Sequence, residues 1–179
     1  MTFAMPKAHR AKLRESGLTP EYAEYAGIKS VGDTQRIEYR DVHGKPTGFW
    51  RARNHAPDAP SKYTQPKGTT VHLYIPPFPR ASKLRWARIA KDTSVQVAIT
   101  EGEFKTLCAV SRDIPCIGIA GVDCYQSGGK PLADWAEFEW EQRSVLLIPD
   151  SDYASKPQVR EPTVKLADYL ASLGARVEI

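Results

Sequence analysis

The chain has 179 residues, of which 41% are hydrophobic, so it can form one full domain or two small ones with a real core. This composition excludes wholesale disorder, and no apolar run approaches the roughly 20 residues of a membrane-spanning helix. Net charge is +4, but it is unevenly distributed: residues 1–91 hold 17 Lys and Arg against 7 Asp and Glu, and residues 92–179 hold 8 against 14. This split suits a protein that holds phosphates in one part and divalent cations in the other. The alternative is a chance distribution over a solvated surface.

Two short helices and a β-hairpin are predicted for the first 54 residues. Residues 7–16 form a basic helix, and a second helix begins after Thr19, a good N-cap that precedes Pro20. Residues 35–54 predict a hairpin, because two alternating segments flank the turn sequence HGKPTG. A small α+β basic region is therefore expected.

Cations and aromatic rings are mixed through this basic region. Arg51 and Arg53 share one face of the returning strand, and Trp50 lies on the other. A proline- and glycine-rich loop over residues 55–70 and a strand over 71–75 follow. Cations that follow a phosphate backbone, together with rings that stack on bases, favour single-stranded nucleic-acid binding. The candidate residues are Arg51, Arg53, Lys62, Tyr63, Lys67, Arg85 and Arg88.

The alternative for the aromatic residues of this region is a place in the core. We expect that place for Tyr74, which lies within the apolar segment VHLYI, and it remains open for Trp50 and Trp86. Tyr63 lies in a polar loop and is expected to be exposed.

From residue 93 the pattern changes to alternating strands and helices. The apolar segments VQVAI, PCIGIAG, SVLLI and RVEI predict strands, with helices at about 103–112, 131–141 and 157–173. Such alternation indicates an α/β domain with a parallel sheet covered by helices on both faces. The boundary between the two regions is expected between residues 91 and 92. The chain ends inside the last strand, so we expect an N-terminal piece of a longer protein.

Acidic side chains follow two of these strands. Glu101 and Glu103 come after the first strand, and Asp150 and Asp152 come after SVLLI. The carboxyl ends of parallel strands meet at one edge, where open α/β sheets bind ligands. Mg²⁺ prefers such hard oxygen ligands, so a metal site is predicted from Asp150, Asp152 and Glu101. The alternative is that the aspartates cap the following turn and that Glu101 caps its helix.

The order strand–EG–helix, strand–Gly, strand–DxD–helix resembles the Toprim domain. The matching motifs are ITEGE at 99–103 and DSD at 150–152. Toprim domains occur in bacterial-type primases, type IA and type II topoisomerases and overcoming-lysogenization-defect nucleases. The chain is more similar to the Toprim-like domains of phage and mobile-element replication proteins, which are often fused to a helicase. The segments that carry this closer similarity are Ser16-Gly17-Leu18, Arg51 with Arg53, Lys62-Tyr63 with Pro66, and Thr100 through Leu107.

The resemblance implies roles for the acidic residues. Glu101 would be the general acid or base, and Asp150 and Asp152 would bind Mg²⁺ or Mn²⁺. Lys105 and Glu103 complete the candidate catalytic set, as a phosphate contact and an additional acid. The alternatives are a solvated helix face for Lys105 and a helix N-terminal charge for Glu103.

Two features depart from the Toprim pattern. Tyr153, Ala154 and Ser155 stand where many Toprim enzymes have a third acid or a glycine, so a second metal would require Glu103 or Asp123. The separate zinc-binding domain that primases of this type usually carry has no counterpart in the sequence.

The sequence favours primase-type, metal-dependent nucleotidyl transfer on single-stranded DNA in phage, plasmid or mobile-element replication. The expected partners are a DNA template, nucleoside triphosphates and a helicase domain or subunit, with no membrane. The alternatives are a Toprim nuclease and a non-catalytic DNA-binding module of a replicative helicase.

The three cysteines support a cytoplasmic location. Cys108, Cys116 and Cys124 are odd in number and have no CxxC spacing. They fit a reducing compartment and argue against a disulfide framework or a zinc ribbon. The first twelve residues also lack the apolar stretch of a secretory signal.

Overall fold

Two β-sheets organise the chain, one in each half of the sequence. The computed structural model describes residues 5–179, so the first four residues of the predicted basic region lie outside the described residues. The helices are α1 Lys7–Glu15, α2 Pro20–Tyr25, α3 Trp86–Ile89, α4 Glu103–Val110 and α5 Pro157–Ser172, with a 3₁₀ helix at Ala133–Glu137. The strands are β1 Ile28–Val31, β2 Thr34–Arg40, β3 Pro46–Asn54, β4 Tyr63–Thr64, β5 Val97–Glu101, β6 Cys116–Ile119, β7 Gln126–Ser127, β8 Lys130–Pro131, β9 Ser144–Ile148 and β10 Arg176–Glu178.

The first sheet is antiparallel and has the order β1-β2-β3-β4. The predicted hairpin is confirmed as β2 and β3, and the hydroxyl of Thr19 accepts a hydrogen bond from the backbone N–H of Tyr22 at 3.2 Å, as an N-cap should. One face of the sheet buries Ile37, Tyr39 and Phe49 in a cluster that also contains residues of α4. The basic region is therefore packed directly on the helix that follows β5.

The second sheet is parallel and has the order β10-β9-β5-β6. Helix α4 connects β5 to β6 on one side, and α5 connects β9 to β10 on the other. Because such crossovers are right-handed, two that run in opposite directions place their helices on opposite faces. The four residues from Val97 to Thr100 are all buried, as expected for a central strand covered on both faces. The predicted fold class is confirmed.

One predicted helix is wrong. Residues 131–141 contain the end of the short β7–β8 hairpin and a single 3₁₀ turn. Trp135, Phe138 and Trp140 are all buried in this segment. An α-helix would place Phe138 and Trp140 about 200° apart, so they could not both face the core. The irregular chain buries all three rings.

The predicted strand at 71–75 is reduced to a single bridge. Tyr74 pairs antiparallel with Gly118 of β6 through two backbone hydrogen bonds of 2.8 and 2.9 Å. Pro76 and Pro77 follow at once, and proline cannot donate to a ladder. The bridge nevertheless attaches this segment to the parallel sheet.

The hydrophobic core crosses the predicted boundary at 91/92. Leu73, Ile75, Trp86 and Ile89 all pack in the same cluster as the parallel sheet. Trp86, considered as a possible base-stacking residue, is buried, and its indole N–H donates to the carbonyl of Pro76 at 2.7 Å. The two-domain division stays a prediction, and residues 71–91 share their core with the acidic half.

A buried arginine fixes the segment that leads into β5. The Arg143 side chain is fully buried and donates to five backbone carbonyls within 3.1 Å. Those carbonyls belong to Ile89, Ala90, Asp92, Val95 and Glu139. The planar guanidinium group has five N–H donors, so it can hydrogen-bond several carbonyl groups at once.

No helix within residues 5–179 is long and apolar enough to cross a membrane.

Candidate active site at the carboxyl edge of the parallel sheet

The connections between strands change direction at the carboxyl ends of β5 and β9. These strands are neighbours, and the connections that leave them run to opposite sides of the sheet. Ligands of open α/β sheets bind in the crevice at this switch point. The Thr100 hydroxyl donates to the carbonyl of Ile148 at 2.8 Å and holds the two strand ends together. Glu101 follows Thr100, and Asp150 lies two residues after Ile148.

Glu101 lies at the turn from β5 into α4. Gly102 turns the chain with a φ of 90°, a conformation that favours glycine, and its N–H donates to the carbonyl of Ile119 at 2.8 Å. Burial raises the pKa of Glu101 above its usual value, and the negative charges of Asp150 and Asp152 raise it further. The structure therefore brings the three predicted acids to one edge, close enough for their charges to interact.

Each aspartate of the DSD motif is paired with a lysine. The Lys105 ammonium group contacts Asp150 Oδ1. Lys156 Nζ donates to Asp152 Oδ2 at 2.7 Å, and this hydrogen bond lowers the pKa of Asp152. Asp152 Oδ1 is buried and has no hydrogen-bond partner among residues 5–179. Lys156 was not identified from the sequence, although its position four residues after Asp152 allows such a contact.

A divalent cation at this edge would have fewer than three acidic, histidine or cysteine ligands from the described residues. The described part of the chain contains no group of three His, Cys, Asp or Glu residues placed to hold a metal together. Mg²⁺ is usually bound through one or two carboxylates, with waters and substrate phosphates completing the shell. Glu101 and Asp150, which line the same cleft, can supply that number, and Asp152 keeps one buried oxygen free of hydrogen bonds among residues 5–179. The three-carboxylate set stays a prediction.

Cationic side chains approach Glu101 from two elements. Lys62 lowers the pKa of Glu101 through its positive charge, as does Lys105 on α4, although burial and the aspartates dominate. Lys62 lies just before β4, and its carbonyl accepts a hydrogen bond from the N–H of Asn54 at 2.9 Å, which ties the loop to β3. Both lysines are exposed, and Lys105 is also paired with Asp150.

An apolar cleft lies between this edge and α5. Its lining includes Ile99, Glu101, Leu147, Asp150, Val159 and Leu166. Two carboxylates therefore border an apolar wall. Low local polarity strengthens electrostatic interactions at such a position.

Glu103 is placed differently from Glu101. It is only 1% exposed, and its Oε1 accepts hydrogen bonds from the Tyr39 hydroxyl at 2.8 Å and from Arg51 at 2.7 Å. Burial and the negative charge of Glu103 raise the pKa of Tyr39 well above its usual value. Glu103 thus joins α4 to the antiparallel sheet. Its predicted role in catalysis stays a prediction that this geometry does not favour.

Arg51 and Arg53 lie on the inner face of the antiparallel sheet. Arg51 also donates to the carbonyl of Ala120 at 3.2 Å, and its guanidinium carbon lies 4.7 Å from the centre of the Tyr63 ring. Arg53 donates to the Tyr63 hydroxyl at 3.2 Å. Tyr63, expected to be exposed, is half-buried between the two arginines, and burial raises its pKa. Arg51 is engaged within the protein by Glu103 and Ala120, and its contact with nucleic acid stays a prediction.

The remaining predicted nucleic-acid contacts are exposed, and one of them lines a groove separate from the acids. Lys67, Arg85 and Arg88 are all exposed. Arg85 donates to the carbonyl of Ser82 at 2.8 Å and lines a groove that includes Arg80. The lining of that groove contains none of the carboxylates of the sheet edge.

Comparison with known proteins identifies the family. The family model described as "Domain of unknown function (DUF3854)" matches residues 85–179, more than half of the chain. The chain belongs to this family. The DUF3854 match contains the whole parallel sheet and all three acids of its carboxyl edge.

No curated protein matches the chain. A solved structure, the Aquifex aeolicus primase with its zinc-binding and RNA polymerase domains, is similar with a TM-score of 0.48 and 17% sequence identity. This similarity covers 97% of the DUF3854 chain and 42% of the primase chain, so the protein spans less than half of that structure. The Toprim resemblance stays a prediction.

Proposed function

We propose that this protein performs primase-type, divalent-metal-dependent nucleotidyl transfer on a single-stranded DNA template. The observation that carries the proposal is that Glu101 and Asp150, which follow two adjacent central strands, line the same cleft. Lys62 and Lys105 flank them. Carboxylates beside lysines provide oxygen ligands for a cation and positive charge for nucleotide phosphates.

Each residue of this edge has a distinct part in the proposed reaction. Glu101, whose pKa is raised, accepts the proton of the attacking hydroxyl, because a base with a raised pKa binds that proton more readily. Asp150, with Glu101 in the same cleft, holds the cation, and Lys62 and Lys105 orient the phosphates. The hydroxyl oxygen forms a bond to the α-phosphorus of the nucleoside triphosphate as the bond to pyrophosphate breaks and pyrophosphate leaves. A bound Mg²⁺ or Mn²⁺ would stabilise the negative charge that develops on the phosphate groups.

Incorporation of a labelled nucleotide tests this function. The protein is incubated with unlabelled single-stranded DNA, all nucleotides and Mg²⁺ or Mn²⁺, and new oligomers are resolved on a gel. Glu101→Gln and Asp150→Asn are each expected to reduce the rate by at least about 100-fold. Asp168→Asn is the matched control, because Asp168 is an exposed carboxylate near the opposite end of α5. Equal incorporation by all variants would contradict the site.

The nuclease alternative uses the same carboxylates and is separated by the fate of the DNA. End-labelled template is followed in a parallel reaction. Shortening of this template without incorporation would assign the edge to hydrolysis, and the proposal of nucleotidyl transfer would then be wrong.

A non-catalytic DNA-binding module that serves a helicase is the second candidate. The pairing of each aspartate with a lysine favours it, because an internal cation already offsets each charge. DNA binding without incorporation or cleavage, unchanged in the Asp150→Asn variant, is the result this candidate requires.

A further inference from the structure

The outer face of the antiparallel sheet carries a partly exposed tryptophan, Trp50. Side chains alternate along β2 and β3, so Ile37 and Tyr39 point inward while Arg36 points outward. Trp50 is paired with Glu38 and lies on the same outer face. Trp86, Trp135 and Trp140 are each no more than 5% exposed, whereas Trp50 is partly exposed.

Two cationic side chains line the same groove as this ring. The guanidinium carbon of Arg36 lies 4.5 Å from the centre of the Trp50 ring, a stacking distance. Lys29 of β1 is directly opposite Arg36 in the register of the sheet, and both side chains are exposed. Glu38, on the same face, is paired with Arg40 at 2.7 Å, so Lys29 and Arg36 leave this face with a net positive charge.

This face is separate from the carboxylate edge. The inner side of the same sheet packs on α4 through the buried cluster that contains Phe104 and Leu107. Lys29, Arg36 and Trp50 therefore lie on the side of the sheet that faces away from α4. A ligand bound to these three residues would not touch the acids of the parallel sheet directly.

We infer that Lys29, Arg36 and Trp50, here called the outer platform, bind single-stranded nucleic acid. The Trp50 ring and the Arg36 guanidinium group beside it are planar groups on which a base can stack, and stacking does not depend on base identity. Lys29 beside it supplies the positive charge that a phosphate requires. The positive charge of the platform favours a polyanion, and its ring favours one with unpaired bases.

Tryptophan fluorescence reports this contact almost site-specifically. Wild-type protein is titrated with oligo(dT), and the quenching of its intrinsic fluorescence is followed. Because three of the four tryptophans are buried, the quenching is expected to come mainly from Trp50. In Trp50→Phe the three buried tryptophans still fluoresce, so the quenching should disappear while the signal remains.

Affinity is measured on the same samples with labelled oligo(dT). Trp50→Ala is expected to weaken binding about fivefold or more, the effect of losing one stacked base. Arg36→Ala should also weaken binding and reduce its salt dependence, whereas Arg36→Lys should keep the salt dependence and lose only the stacking. Lys165→Ala is the matched control, because Lys165 is an exposed cation on α5.

The outcomes separate this inference from the proposed function. Glu101→Gln and Asp150→Asn are expected to retain the quenching, so failure of incorporation leaves the platform intact. Unchanged quenching in Trp50→Phe, or equal affinity in Trp50→Ala and wild type, overturns the platform. Circular dichroism and the thermal midpoint of each variant show that it is folded, and Trp50→Phe provides the conservative check if Trp50→Ala unfolds.

Discussion

Glu101 and Glu103 lie two residues apart and have opposite surroundings. Glu103 is buried and accepts hydrogen bonds from Tyr39 and Arg51, so it joins α4 to the antiparallel sheet. Glu101 is partly exposed, and burial and the charges of Asp150 and Asp152 raise its pKa. Glu103 has two hydrogen-bond donors, whereas burial and two like charges disfavour the ionised form of Glu101. The contrast teaches that the partners of an acid, and not its place in a motif, distinguish a structural carboxylate from a candidate for reaction.

Replacement of Glu103 should have the largest effect on stability. Glu103→Gln leaves the Arg51 charge buried without its counter-charge, so the free energy of unfolding should fall by about 3–5 kcal/mol. Chemical denaturation followed by circular dichroism measures this value. A loss below about 1 kcal/mol would show that the ion pair between Glu103 and Arg51 does not hold α4 on the antiparallel sheet. Glu103→Gln combined with Arg51→Met should recover part of the loss, because both charges are then removed.

Replacement of Lys105 should affect stability much less. Lys105→Ala removes an exposed ion pair with Asp150, so unfolding should change by no more than about 1 kcal/mol. Nucleotide incorporation should nevertheless fall, since a phosphate contact is lost. The control is Lys165→Ala, which removes an exposed lysine from α5 and should leave both quantities unchanged. A large loss of stability in Lys105→Ala would place Lys105 with the structural residues.

Replacement of Glu101 should have the smallest effect on the free energy of unfolding, and it should stabilise the protein. The pKa of Glu101 is raised above 4.5 in the folded protein, so the folded state binds more protons there than the unfolded state. The ionised Glu101 therefore opposes folding, and this cost develops as pH rises above about 4.5. Glu101→Gln should be slightly more stable than wild type at pH 7, by less than about 1 kcal/mol because the group is half exposed. The difference should vanish at pH 4. A Glu101→Gln variant less stable than wild type at pH 7 would contradict the contrast with Glu103.

Local patterns were sufficient to predict the parallel sheet and its acidic edge. Apolar strands of about five residues, each followed by carboxylates, placed Glu101 and Asp150 at the same edge before any contact was known. Alternating polar and apolar residues on either side of the turn sequence HGKPTG likewise predict the β2–β3 hairpin. These elements depend on residues close in sequence, so their pattern could be recognised without the tertiary structure.

The placement of Arg51 could not be decided in the same way. Alternation showed that Arg51 and Arg53 share a face, but not that this face is the inner one. The decisive partner, Glu103, is 52 residues away. The register of the hairpin indicates which face is the inner one, because Arg51 lies opposite Ile37, a buried apolar residue. The opposite face holds the outer platform, of which only Trp50 was considered from the sequence.

The helix predicted at 131–141 failed for a related reason. Its residues have adequate helical propensity, but three aromatic side chains must all reach the core, and one helical face cannot present them. Tertiary burial outweighs propensity in such a segment.

Manganese binding tests most directly whether the edge of Glu101 and Asp150 is the reactive site. Electron paramagnetic resonance counts free Mn²⁺ in the presence of protein and a nucleoside triphosphate. Wild type and Asp168→Asn should bind Mn²⁺ with equal affinity, whereas Glu101→Gln and Asp150→Asn should each bind it at least about tenfold more weakly. Equal affinity in all four proteins would contradict the assignment of this edge as a cation and phosphate site.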